Sequence, residues 1–358
     1  MEADKDFLQQ DKDYRTLKAF LFIAWLLFCT SLSAQDVALA DSIVKYQLPS
    51  GGWPKNQDWL QGADQAYMEE CRRTGIGSTI DNGATTGELK VLAGVIVACK
   101  TQKLTNSKTY QAAFLRGVDY LLGMQYENGG WPQFWPRRSA SSYSNHITFN
   151  DNAMVNVMRL LKDVADGKHP YGGVGVKRDM RKRCAAAFWR GVQCILDCQI
   201  RDAEGRPTVW CQQHDEVTLA PASARKYELA AYCGHGETVD IIGLLIDLYE
   251  EQGGDTLKYR IDCAVNWLKG HAIHGMKLEM FTNAEGRQDK RFVPSAGAPN
   301  IWARYYDLET DEPLFSDRHG LPLKDFNAIG YERRNGYSWL GDSPKRVIER
   351  WGNLKIED

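Results

Sequence analysis

One pattern recurs along this chain: an apolar helical segment ends in a glutamine, a turn containing glycine follows, and an aromatic residue comes next. Ala40 to Asn56 reads ADSIVKYQLPSGGWPKN, Phe114 to Phe134 reads FLRGVDYLLGMQYENGGWPQF, and Phe188 to Trp210 reads FWRGVQCILDCQIRDAEGRPTVW. Gln47, Gln125 and Gln199 share one slot, and Arg116 and Arg190 share another. Tyr259 to Gly270 (YRIDCAVNWLKG) is a weaker fourth copy. Between the copies lie TGELKVLAGVIVACK, NDNAMVNVMRLLKDV and ETVDIIGLLIDLYEE, whose apolar residues recur at three and four, the helical spacing. A unit repeated at this scale stacks on its neighbours to bury its apolar face. Two helices per unit and almost no alternating segments predict an all-α fold. Its form is an incomplete α/α toroid of roughly three helical pairs, with an open central groove and long loops at one end.

The tetrapeptide GGWP occurs in two of these turns, at Gly51 and at Gly129. Repetition alone explains it, because each unit needs the same turn. Trp53 and Trp131 either pack on the helices or reach toward a ligand. Polar clusters follow: STIDNGATT from Ser78, NHITFNDNAM from Asn145, and VWCQQHDEVTLAPASARKYE from Val209. The first two place Asp81-Asn82 and Asp151-Asn152 just ahead of a helix. Two readings fit these pairs. Asp and Asn are preferred helix caps, and they are also ligands that can face a groove.

Composition narrows the field. A net charge of −2 excludes a strongly basic nucleic-acid footprint. Tryptophan (11) and tyrosine (16) are plentiful, as sugar-binding clefts require, although cores use both too. The run AFLFIAWLLFC from Ala19, preceded by Arg15 and Lys18 and followed by TSLSAQD, reads as an export signal cleaved after Ala34. It is shorter than the roughly 20 apolar residues that a membrane span needs. The competing reading is a buried N-terminal helix. The chain thus divides into residues 1–34 and a single domain, 35–358. The cysteines show no CxxC pair and no framework spacing, and read as small buried residues.

LPSGGWPKN, STIDNGATT, GGWPQFWP, HITFNDNAM and HDEVTLAPASARKYE, in this order, resemble the pectate lyases of polysaccharide lyase family ten. The resemblance runs from about Leu48 to Arg318; Gly87 stands where many relatives have a third threonine. It implies calcium-assisted β-elimination on polygalacturonate, leaving 4,5-unsaturated oligogalacturonides. That reaction removes the proton at C5, α to the uronate carboxylate, and expels the glycosidic oxygen from C4. A carboxylate resists becoming an enolate dianion, so calcium and arginines facing it would stabilise the developing charge.

By this resemblance Asp81 and Asp151 are the protein ligands of calcium, and Arg225 is the base. Arginine ordinarily stays protonated, so neighbouring cations are expected to depress its pKa. Lys55, Asn82, His146, Asn152, His214, Asp215, Arg304 and Arg318 fall on the substrate side, arginine suiting uronates through bidentate pairing. The expected partner is oligogalacturonate or polygalacturonate, met by an exported monomer. Three alternatives remain at this point: a toroid hydrolase using Asp81 and Asp151 as paired carboxylates, a terpene cyclase with similar Gln-x-x-x-Gly-Gly-Trp repeats, and a non-catalytic sugar-binding protein. The absence of a DDxxD-type cluster speaks against the cyclase.

Overall fold

Four tryptophans define the architecture. Trp53, Trp131, Trp210 and Trp302 are fully buried. Each indole N–H donates back to a carbonyl near the end of a preceding helix: Ile43 (2.7 Å), Leu121 (2.8 Å), Ile195 (2.7 Å) and Leu268 (2.7 Å). The aromatic of every repeat is therefore a packing residue, and neither Trp53 nor Trp131 reaches toward a ligand. A computed structural model describes residues 32–103 and 106–357. The expected export segment lies outside the described residues except for Leu32, Ser33 and Ala34. No described helix is long and apolar enough to cross a membrane.

The helices run α1 (Ala34–Lys45), α2 (Gln65–Thr74), α3 (Thr86–Thr101), α4 (Ser107–Gly123), α5 (Ala153–Asp166), α6 (Tyr171–Val174), α7 (Arg178–Cys198), α8 (Glu237–Gln252), α9 (Asp255–Gly270), α10 (Tyr331–Gly336) and α11 (Pro344–Glu357). Helix α5 shows the logic: Met154, Val155, Val157, Met158, Leu160, Leu161 and Val164 are buried, and Gly167, in the left-handed region, ends it. Helices α3, α5 and α8 pack side by side, each backed by a partner: α4 on α3, α7 on α5, α9 on α8.

The repeats are bolted together by the glutamine slot. Gln47 donates to Gly51 O (2.7 Å) and to Ala113 O of α4 (2.8 Å), while Arg116 of α4 donates to its amide oxygen. Gln125 does the same with Gly129 (2.9 Å) and Ala187 of α7 (2.8 Å), clamped by Arg190. Gln199 bonds Thr208 (2.8 Å) and Arg260 O (3.1 Å), and the Arg260 guanidinium returns a bond of 3.1 Å. Each glutamine so ties its own turn to the next copy of the helix.

The all-α toroid is not what forms. The described residues are about 48% helix and 12% strand. Strands β1 (Ile147–Thr148) and β2 (Gln213–His214) pair antiparallel. Strand β3 (Tyr232–Cys233) edges a four-stranded sheet, while β4 (Met276–Thr282) and β5 (Gln288–Pro294) form a hairpin in seven-residue register. Strands β6 (Trp302–Ala303), β7 (Tyr305–Tyr306), β8 (Pro313–Ser316), β9 (Pro322–Leu323) and β10 (Leu340–Gly341) complete the sheets, with order β3-β7-β8-β9 and pair β10-β6. Among the described residues the helical pairs form a row with α11 packed against α8 and α9, and the C-terminal part is built largely from strands and loops. The hairpin joins KLEMF to KRFV through Asn283-Ala284-Glu285-Gly286. All eight described cysteines carry free thiols, seven of them buried.

The turns leave no room for side chains. Gly129 has φ +91°, and a Cβ there would lie 2.1 Å from the Arg190 carbonyl oxygen. Gly129→Ala is therefore expected to lose roughly 2–4 kcal/mol in denaturant unfolding. Gly94→Ala, in the open middle of α3 with nothing within 4 Å, is expected to gain about 0.5–1 kcal/mol. Equal stability of the two variants would show that the turn is not held against the next repeat.

Candidate active site

The loops ahead of α3 and α5 meet. The short turns Asp81–Gly83 and Asn150–Asn152 pack on each other, and both are left-handed at non-glycine residues: Asn82 (φ 52°), Asp151 (φ 52°) and Asn152 (φ 59°). That conformation costs about 1–2 kcal/mol per residue, and Asn and Asp tolerate it best. Neither aspartate caps a helix, since α3 and α5 begin without a side-chain cap hydrogen bond. The capping reading fails, and both carboxylates line a cleft of about 110 Å³.

Five expected residues line that cleft: Lys55, Asp81, Asn82, Asp151 and Arg225. Lys55 pairs with the buried Asp81 carboxylate, and Asn82 Nδ2 donates to Asn56 (3.0 Å). Asp151 accepts from Asn150 Nδ2 at 2.8 Å. Partial burial raises the Asp151 pKa above the usual carboxylate value, and the charge of Asp81 adds to this; Arg304 and Arg225 oppose it. Two larger clefts, of about 390 and 460 Å³, flank α5. Charged groups in the first already neutralise one another, Arg159 with Asp247 and Lys162 with Glu251.

A hydrogen-bonded chain links Arg225 to Asp151. Arg225 donates to Glu228 from Nε (2.7 Å) and from a terminal nitrogen. The Tyr337 hydroxyl donates to Glu228 at 3.0 Å and lies 2.7 Å from the Tyr305 hydroxyl. Tyr305 donates to Gln212, Gln212 to Asn150, and Asn150 to Asp151. The expectation that cations depress Arg225 is not met. Its nearest charge is the Glu228 carboxylate, whose hydrogen bonds hold the guanidinium pKa above its usual value. Burial favours neutral Glu228, yet Arg225 holds its pKa below the ordinary range.

The cleft's donor set suits a hard cation. Three carboxylates line the cleft; Glu228 is taken by Arg225, while Asp81 and Asp151 stand among the side-chain amides of Asn82, Gln133, Asn150, Gln212 and Gln213, with no thiol or imidazole in the lining. Asp151 has no ion-pair partner among the described residues.

The sequence profile of the pectic acid lyase family matches residues 47–348. The chain belongs to the pectic acid lyase family. It is an enzyme, a pectate lyase, which sets aside the hydrolase, cyclase and sugar-binding alternatives. The family 10 polysaccharide lyase from Cellvibrio cellulosa is a solved structure 30% identical to it, covering 93% of this chain and 95% of that one, with a TM-score of 0.74. A mutant of that enzyme, in complex with trigalacturonic acid, is 29% identical over 92% of this chain and 96% of that one, again at 0.74. No curated protein matches the chain.

The other expected residues of the lyase lie outside the cleft lining. Arg304 pairs with buried Glu237, the first residue of α8, and stacks over Tyr337 at 4.8 Å. Burial works against the Arg304 charge, but Glu237 keeps its pKa high, and its field reaches Asp151. Asn152 has a buried amide oxygen without a partner. Arg318 is exposed, chelated by Glu332 (3.0 and 2.6 Å) and 5.9 Å from the Tyr227 ring. His146 bonds Glu216 (2.9 Å), and its ligand atom lies within 4.8 Å of those of Asp215 and Glu216. The Asp215 carboxylate is taken by its own turn, accepting from the N–H groups of Val217 (3.0 Å) and Thr218 (2.7 Å). His214 is fully buried, accepting from Cys211 N–H (3.0 Å) and donating to Leu219 O (2.8 Å). Both its nitrogens are used, so it holds the loop and does not face substrate.

Sequence reasoning missed Glu228, Gln212, Gln213, Tyr305, Tyr337 and Glu237. Glu228 stands three residues after Arg225, a spacing that could have flagged it. Tyr337 carries no local signal, since only the fold brings it to Glu228.

Burial pushes two histidines, His214 and His235, down to about 4. An unfolded histidine takes its proton near 6.5. The stability from keeping them neutral is fully present above that value and is lost as pH falls from 6.5 to 4. Each contributes about 3 kcal/mol to that loss. Denaturant unfolding at pH 7 and pH 4.5 is expected to show the drop, and His214→Gln, which keeps a donor and an acceptor, should flatten it. A His214→Gln profile as steep as wild type would remove His214 from the account.

Proposed function

We propose that this cleft carries out a calcium-assisted β-elimination on polygalacturonate. One observation carries the reading: Asp81, Asp151 and Arg225, distant in sequence, border a single cleft in a member of this family. The solved relative bound to trigalacturonic acid supports an oligogalacturonate as the occupant. Asp81 and Asp151 would hold calcium, which supplies positive charge against the uronate carboxylate when bound. Lys55 neutralises Asp81 in the free enzyme, so the ammonium has to share that carboxylate or turn toward the sugar chain.

Arg225 takes the C5 proton as one half of a pair. A lone guanidinium is no base at ordinary pH. Bonded to Glu228, it can hand an N–H proton to that carboxylate as it receives the proton from C5. The C5–H electron pair becomes the C4=C5 double bond, the C4–O bond breaks, the departing oxygen takes a proton from water, and the hydroxide left takes the proton held on Glu228. Arg304 adds its charge beside Asp151, Asn82 and Asn152 hold the two turns, and Arg318 and His146 stand on the outer substrate side. His214 and Asp215 shape the loop that carries Arg225. Residues 1–34 act as the export signal of a monomeric lyase domain, 35–358.

Purified protein with polygalacturonate and calcium is expected to release product absorbing in the ultraviolet, and excess chelator should stop the release. Asp151→Ala should abolish turnover and lose about 1 kcal/mol of stability, since no cap is lost but alanine tolerates the left-handed backbone less well than aspartate. Undiminished activity in chelator would remove calcium; a variant that only melts earlier would restore the capping role.

Glu228→Gln tests the pair. It should lower kcat by about 10²–10⁴-fold, with little change in KM. The remaining rate should rise toward alkaline pH, because Arg225 must then lose its proton to hydroxide. An unshifted pH profile with wild-type kcat would exclude Glu228 from the proton's path.

A further inference from the structure

Gln213 is the unmatched polar residue of the cleft wall. It is 1% exposed, lines the cleft with Asp81, Asp151 and Arg225, and neither its amide oxygen nor its amide nitrogen has a partner. The orphaning does not depend on which way the amide is turned, since both ends lack a partner. Its neighbours show the contrast. Gln212 is bonded to Asn150 and Tyr305, and His214 uses both ring nitrogens. The backbone of Gln213 is fixed: its carbonyl accepts from Ala222 N–H (2.9 Å), and its strand pairs Gln213 with Thr148. The Thr148 hydroxyl, fully buried, is also without a partner. A buried amide with nothing to bond is a cost to the folded state, and such costs persist where a ligand removes them.

We propose that Gln213 contacts the substrate directly, its amide meeting ring hydroxyls of the galacturonate unit in the cleft. The inference rests on the pectate-lyase reading of this cleft. The chemistry favours hydroxyls over the carboxylate. Arg225 and Lys55 already supply charge for the carboxylate, whereas an uncharged group that donates at one end and accepts at the other matches two adjacent hydroxyls, each donor and acceptor at once. A site whose buried polar groups are completed only by the right sugar discriminates strongly against one lacking those groups.

The test is Gln213→Met, which keeps the length of the side chain and removes both amide atoms, with Gln213→Glu as a second variant that keeps the shape. Thermal unfolding, calorimetric affinity for trigalacturonate in calcium, the calcium midpoint of the rate at saturating polygalacturonate and kcat/KM on polygalacturonate are measured beside wild type. The expected result for Gln213→Met is an unfolding temperature equal to or above wild type, with affinity weakened about tenfold and an unchanged calcium midpoint. Gln213→Glu should weaken affinity further, because a carboxylate then faces a polyanion. Lower stability with unchanged affinity would overturn the proposal and make Gln213 a structural residue. A shifted calcium midpoint would overturn it in favour of a cation ligand. If Gln213→Met does not fold, wild-type affinity in Gln213→Glu overturns it equally. Wild-type protein inert on polygalacturonate would instead sink the reading on which the inference rests.

Discussion

Everything in this fold hangs on the clamp made by one glutamine, one arginine and one tryptophan per repeat. The glutamine spans its own turn and the backbone of the next helix copy, so it satisfies two carbonyls that would otherwise be orphaned. The arginine of the next copy fills the remaining amide oxygen. The tryptophan closes the unit from inside by bonding back to its own helix. An ordinary helix-to-helix contact could slide by a turn. This one cannot, because its donors and acceptors are matched one to one. The clamp therefore sets the height at which each loop leaves the helices.

That height matters because the turns carrying Asp81 and Asp151 belong to successive units. Their left-handed residues would relax in isolation. They persist because packing between the two turns over-determines them. The route from Arg225 to Asp151 through Glu228, Tyr337, Tyr305, Gln212 and Asn150 then joins residues from four distant parts of the chain. Such a network is rigid only when every member is satisfied, and here buried Tyr305, half-buried Tyr337 and buried Gln212 supply the middle.

The helices and the repeat frame were legible because they are local: apolar spacing marks α5, and the glutamine slot recurs in the string itself. Asp81, Asp151 and Arg225 were legible only through motif order. Their convergence was not, since no sequence spacing encodes how far one repeat is rotated on another. The sheets escaped because most of their strands have two residues, too short for any alternation to show, and because β4 and β5 are half-exposed on both faces. The tryptophans stayed ambiguous for a physical reason. An indole has one apolar body and one donor, so packing and sugar stacking demand the same residue, and only the Ile43 and Leu121 carbonyls decide between them.

The free enzyme meets a polyanion with cations that are already paired. Arg225 is held by Glu228, Lys55 by Asp81, and Arg304 by Glu237. Pulling a cation from a buried carboxylate costs about 3–5 kcal/mol, and the Glu228 and Glu237 side chains are 2% and 3% exposed. Substrate cannot bind well by stripping these carboxylates of their partners. Arg225 escapes the difficulty through its shape. It spends Nε and one terminal nitrogen on Glu228, and a guanidinium has five N–H donors in a planar fork. The edge fixed on Glu228 aims the opposite edge, and nearly half of this side chain is exposed. Lys55 is a point charge on a flexible stem, so it can leave Asp81 to an arriving cation and follow the uronate instead. Cation and sugar chain would then be bound together, because each takes the partner that the other releases.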